Sequence, residues 1–308
     1  MTLLTREQVI EQIAEKKAFY QSELSNIDLT SANLDRGQFP EAYLRGANLS
    51  HASCYKTDFS RAILRFANLR GANLINAILT KTEFNSACLH KANIRDVKAT
   101  KVKLYGANLN FLEASFATLT DADIREAKGN NCNFSNANLE RVNLTKAIIV
   151  ESNFSNAKLK NAIATFADFS YSVWRNSNLT NANLSHSNFS NGDLTGANVV
   201  EANLLGANFT KANLQDAEFI DATLKQANFQ ETNVTNTSFL TANLEGANFT
   251  QIDFQETILQ DATLENTTWH KVNFNDCIVE NAVFTNAKGL TQEQKRWLKD
   301  NGALNLPE

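Results

Sequence analysis

The residues of this chain best equipped for chemistry are four histidines, four cysteines and many carboxylates. The histidines are His51, His90, His186 and His270, and the cysteines are Cys54, Cys88, Cys132 and Cys277. A metal site needs several such groups converging, usually at spacings such as C-x-x-C or H-x-x-x-H. None of these eight residues has a second ligand at that spacing. No glycine-rich phosphate loop and no G-x-S-x-G elbow is present. Carboxylates are numerous enough for some to fall close by chance, but catalysis also needs a concave pocket that excludes water. The reading is a non-enzyme with no catalytic residue, no metal ligand and no cofactor.

Charge is distributed more pointedly than chemistry. The chain has 308 residues and a net charge of −4, too mild for a generic nucleic-acid binder. From Arg36 to Lys103 there are twelve basic and four acidic residues; from Asp193 to Glu280 there are thirteen acidic and three basic. In the acidic stretch Glu201, Asp221, Asp261 and Glu280 fall on one face, about twenty residues apart or multiples of it. They are the first candidates for steering a partner by charge. The outward aromatics Tyr105, Phe111 and Phe116 are the second. These three occur in successive repeats and so form a belt around several faces.

What positions all of these is a repeat of five. Stepping five residues at a time from Leu24 to Phe284 gives 53 central positions, 48 of them Leu, Phe, Ile, Val or Trp. The position two before the centre is Ala in 31. Ala32-Asn33-Leu34, Ala47-Asn48-Leu49, Ala72-Asn73-Leu74, Ala202-Asn203-Leu204 and Ala247-Asn248-Phe249 keep one phase. A period of five fits neither a 3.6-residue helix nor a two-residue strand. It suits a chain that turns a corner every five residues, with the small and the large apolar residue both facing inward.

This A-(N/D)-(L/F)-x-x pattern, covering roughly residues 22 to 286, resembles the bacterial pentapeptide-repeat proteins, notably those of cyanobacteria. The resemblance implies an all-β, right-handed quadrilateral β-solenoid, four corners to a coil. At strand spacing, thirteen coils give a rod of about 60 Å. Short α-helical caps are expected at both ends, because an open solenoid end invites edge-to-edge pairing. Thr5-x-x-Gln8 ahead of Val9, Ile10 and Ile13 has the form of a capping box, as does Thr291-x-x-Gln294 ahead of Trp297 and Leu298. The organisation is then a cap over 1–21, a solenoid over 22–288 and a cap over 289–308. A rival role for the last helix is dimerisation, as in gyrase-protecting members of the family.

Five centres are small: Cys54, Ala99, Ala114, Gly129 and Ala164. Regularity is therefore expected to fail, if anywhere, between about 97 and 131. There Leu112 and Ala114 exchange large and small, and Ala114-Ser115-Phe116 reads as a repeat two residues out of phase. Phe116 and Phe166 are expected to turn inward beside their alanines.

The function these features imply is a rigid scaffold for protein–protein interaction, with an unknown protein partner. The alternative is a DNA mimic that binds type II topoisomerase. A length of about 18 base pairs suits that idea, and the basic first half opposes it. No signal peptide or apolar membrane span is seen, so a monomer in the cytoplasm is expected, without direct nucleic-acid binding.

Overall fold

Inward-facing apolar residues every five positions force the backbone to turn just as often, and the turn governs everything else. The computed structural model describes residues 4–308; residues 1–3, part of the expected first cap, lie outside them. The residue two after each centre takes a left-handed conformation, φ near +55° to +60°, as at Asn26, Arg36, Phe66, Lys101 and Asp221. The next N–H then reaches back to the centre's carbonyl, as Ala32 does to Leu29 at 3.0 Å. Positive φ at the third residue with that bond is the signature of a type II turn. Glycine takes this position at Gly46, Gly71 and Gly206, but most positions carry a side chain that tolerates the conformation at some cost.

Where an asparagine precedes the centre, it holds the turn from outside. Asn68 accepts a bond from the Arg70 amide (3.1 Å), and Asn93 does the same for Arg95 (3.1 Å). Such side-chain-to-backbone bonds are what make Asn a turn residue. Corners repeat four times, and the chain returns to pair with itself twenty residues on. Asn48 pairs in parallel with Asn68 and Asn68 with Cys88; Asn188 pairs likewise with Asn208 and Asn208 with Asn228.

The chain divides into two compact units, Met1–Lys158 and Leu159–Glu308, each built of such four-sided coils. In the first unit helix α1, Arg6–Ala14, opens on the Thr5–Gln8 capping box and buries Val9. Its Ile13 lies against Gly37, where an added Cβ would sit 3.4 Å from the isoleucine. In the second unit strands β1, Asn248–Thr250, and β2, Thr268–His270, pair in parallel. Helix α2, Gln292–Asp300, opens on the Thr291–Gln294 capping box and buries Leu298 completely. Beyond it Leu304 pairs with Val283 as one more strand residue. The backbone of the last coil thus receives part of its partners from the chain's own tail.

Each core is a set of stacked columns. In the first unit Phe19, Phe39 and Phe59 stack at 4.6 and 5.2 Å. In the second, Phe189, Phe209, Phe229, Phe249 and Trp269 stack at 5.5, 5.3, 5.1 and 4.4 Å. Offset ring stacks add about 0.5–1.5 kcal/mol each beyond burial. At several positions where a hydroxyl replaces the small inward alanine, it finds a carbonyl one coil below. Thr57 donates to Leu34 (2.7 Å) and Thr237 to Leu214 (2.8 Å), as a buried polar group must.

The out-of-phase alternative at 114–116 is not adopted, and neither Phe116 nor Phe166 turns inward as expected. Glu113, Thr118 and Asp123 keep their pairing with Asn133, Asn138 and Asn143. Ala114 and Ala164 are fully buried, while Phe116 and Phe166 stand 53% and 59% exposed. Both phenylalanines occupy the left-handed corner position (φ 58° each), and a side chain there points outward whatever its size. Backbone register therefore overrides the local volume deficit. Beside Ala99 that deficit persists as an apolar void of about 10 Å³. The turn loosens at Gly129–Cys132, where the Cys132 amide donates to the Ser152 hydroxyl (2.9 Å) instead of closing it, and also outside the expected stretch, at Glu151, Gln251 and Lys271.

Candidate interaction surfaces

The corners carry most of the exposed side chains, so they decide what each unit presents. In the second unit Glu201, Asp221 and Asp261 occupy one left-handed corner column, and Glu280 lies in the column beside it; all four are exposed. Thr241 and Asn281 continue the column and donate to Asp221 (2.6 Å) and Asp261 (3.0 Å). Five residues earlier on the same coils stands the corner at the other border of this face. It carries Asp216, Glu256 and Asp276, and Glu218 lies between. From 215 to 221, 255 to 261 and 275 to 281 there is no Lys, Arg or His. The face is thus edged with carboxylates on both sides, around a stripe that includes Ile258 and the 48% exposed Ile278.

Tyr105, Phe111 and Phe116 are exposed by 38%, 48% and 53% and sit on three different corners of the first unit. They are not brought together. Tyr105 donates to Glu126 (2.8 Å) beneath the Arg125 guanidinium. Phe111 lies 5.6 Å from the Lys91 ammonium and 5.6 Å, edge-on, from His90. Phe116 is simply exposed.

Among the described residues no three His, Cys, Asp or Glu side chains converge as metal ligands. Cys54, Cys132 and Cys277 are buried and unbridged. Burial pushes the Cys132 thiol up to about 11 and raises Cys54 and Cys277 as well, so these thiols stay protonated and unreactive. A cleft of about 400 Å³ separates α2 from Val272–Asn275, with Trp297 stacked on Phe274 at 6.1 Å and Gln294 bonded to the Val272 carbonyl (2.8 Å). Among the described residues no helix is long and apolar enough to cross a membrane.

Parallel coils of twenty residues, four inward centres to a coil and a left-handed residue at each corner define a right-handed quadrilateral β-solenoid. Residues 22–65, 57–96, 130–163 and 165–199 match the family described as pentapeptide repeats (8 copies), and residues 200–269 match that described as pentapeptide repeat region. The chain belongs to the pentapeptide-repeat family and is a structural repeat scaffold. It is similar to HetL, a pentapeptide-repeat protein involved in heterocyst differentiation regulation in the cyanobacterium Nostoc sp. strain PCC 7120. That likeness is 22% identity over 91% of this chain and 97% of that one, with a TM-score of 0.19. It is also similar to trypsin-treated QnrB1, a plasmid-mediated fluoroquinolone resistance protein, at 15% identity over 72% and 94% with a TM-score of 0.28. Rfr23 of the cyanobacterium Cyanothece 51142 is 28% identical over 41% of this chain and 63% of its own, with a TM-score of 0.17. No curated protein matches.

Proposed function

We propose that this chain is a non-enzymatic scaffold that binds a protein partner through the acidic face of its second unit. The observation that carries this reading is the segregation of charge there. Eight carboxylates, Glu201, Asp216, Glu218, Asp221, Glu256, Asp261, Asp276 and Glu280, border or cross one face that has no cation of its own. None of the eight is held in an ion pair, whereas Glu231 and Glu245 elsewhere on the unit are paired with Lys211 and Lys225. Unpaired like charges repel one another, and a cationic partner relieves that repulsion. The partner is accordingly a protein with a basic surface. The test is a pull-down from host lysate with wild-type protein and with Glu201, Asp221, Asp261 and Glu280 changed together to Gln and Asn. Loss of the captured protein in the variant supports the reading; unchanged capture overturns it.

A second reading, DNA mimicry toward a type II topoisomerase, is favoured by one feature: carboxylates run along both borders of the face, as phosphates border a groove. The first unit opposes it, with twelve basic residues between Arg36 and Lys103. A supercoiling assay with gyrase separates the two, since mimicry requires inhibition or protection and a scaffold leaves the reaction unaltered. We further propose that the chain acts as a monomer and that α1 and α2 serve as end caps, since both helices cover apolar coil residues and carry their own capping boxes.

A further inference from the structure

One corner of the first unit gathers basic side chains from three successive coils. The His51 amide donates to the Arg70 carbonyl (2.8 Å) and the Gly71 amide to the His90 carbonyl (2.9 Å), so the three coils are in direct ladder contact. Arg70 and His90 hold the same turn position one coil apart, and Lys91 follows His90 at the left-handed corner. Gly71 is where the corner column loses its side chain. A Cβ there would meet the His51 ring at 2.7 Å, so the imidazole occupies the space the glycine leaves. Above, Phe111 closes the cluster, with His90 edge-on and the Lys91 ammonium over the ring, each at 5.6 Å.

No counter-charge is paired with this group. Between residues 48 and 53, 68 and 73, and 88 and 93 there is no Asp or Glu, and Glu113 on the next coil accepts from the Ser115 hydroxyl and the Asn133 side-chain amide instead. Arg70 and Lys91 make no ion pair, although Arg65 and Lys103 in the same unit share Glu83. Burial first, then the charges of Arg70 and Lys91, hold the His90 pKa below its ordinary value.

We propose that the corner formed by His51, Arg70, His90 and Lys91, with Phe111 beside it, docks a phosphorylated side chain of a partner protein. A phosphoryl group has three acceptor oxygens and nearly two charges, matching one fork-shaped donor, one ammonium and an imidazole N–H held close together. The site is an open corner, so a free phosphate would be left largely in water. A tethered one gains the Phe111 ring as a platform for its neighbouring side chain. A nucleic acid would need a long track of cations, and this one ends at Ser31 below and at Asn130 and Asn131 above. The proposal concerns the first unit and does not depend on the acidic face of the second.

The experiment uses the full chain and a fluorescent ten-residue Gly/Ser peptide carrying one phosphoserine next to a leucine. Its unphosphorylated and aspartate forms and a ten-nucleotide single strand are the comparisons. Binding is read by anisotropy, and the His90 ring is followed by NMR. The phosphopeptide should bind, raise the His90 titration midpoint, and lose about tenfold in affinity in Arg70→Ala and in Lys91→Ala, one charge-assisted bond being worth at least that. Both side chains are exposed, so the variants should unfold at the wild-type temperature. Arg65→Ala, outside the cluster, should bind as wild type does. Binding of the aspartate peptide equal to the phosphopeptide, stronger binding of the oligonucleotide, no effect of the two substitutions, or no binding at all each overturns the proposal.

Discussion

Leu204 shows what a single residue contributes to this fold. It is fully buried, in the column that also holds Leu184 and Leu224, and coils above and below leave its surroundings little freedom to collapse. Leu204→Ala should therefore cost about 2–5 kcal/mol, measured by urea unfolding. Charged residues behave differently. Glu83 is partly buried, which works against its charged form, but hydrogen bonds from Lys103 and Arg65 outweigh burial and hold its carboxyl below the ordinary range. A carboxyl with a lowered folded-state pKa contributes stability that is present above its unfolded value and lost as pH falls through the folded one. Wild type should be more stable than Glu83→Gln at about pH 6, and the two should converge toward about pH 3. Parallel thermal melts across that range check the sign; curves that stay parallel would dismiss the argument.

At the scale of elements, Gly289 joins the last coil to α2 at φ 87°, and a Cβ there would lie 2.0 Å from the Trp269 carbonyl oxygen. Backbone cannot yield as a flexible side chain can. Gly289→Ala should cost at least about 2 kcal/mol and loosen α2 first, visible as faster amide exchange at Leu298. Removing residues 1–20 or 290–308 should expose a coil edge and promote self-association, read by sedimentation. Truncated chains that stay monomeric would show that these helices do not cap. Elements of this kind were legible in the sequence because the inward positions admit only small or large apolar residues, and because both capping boxes are local. The corner geometry was not legible. The left-handed position carries Lys, Glu, Phe, Asn and Gly alike, so its composition says nothing of its strain. Phe116 and Phe166 were misread for the same reason: local volume suggested inward, whereas the ladder over twenty residues dictates outward. The second border of the acidic face, Asp216, Glu256 and Asp276, was missed because proximity runs around the coil as well as along it.

For the whole molecule, a net charge of −4 conceals two segments of opposite sign, the cations of 36–103 in the first unit and the carboxylates of 193–280 in the second. Exposed charges add little to stability but govern encounter. Neutralising Glu201, Asp221, Asp261 and Glu280 should slow partner association well beyond any change in unfolding. That association should also slow with added salt, which screens beyond about 8–10 Å near physiological strength. Neutralising Arg45, Arg61, Arg65 and Arg70 is the control. Loss of binding with that set alone would move the interface to the first unit.

The twenty-residue coil also gives this chain a reading frame in space. Excising residues 224–243 from the second unit would remove one full circuit and leave every later side chain on its original face. Excising only residues 224–228 would keep an apolar residue at every inward position, because Phe229 would enter where Leu224 stood, although Val234 would then follow Phe209 in its column. Outside, however, everything downstream would turn by a quarter. Asp261 would leave the corner of Glu201 and Asp221 for the next, and the carboxylate border would break at that point. A frameshift of this kind costs the core one ring stack but keeps it apolar, and its larger effect falls on whatever reads the surface, so the two lengths of deletion separate folding from recognition within one molecule.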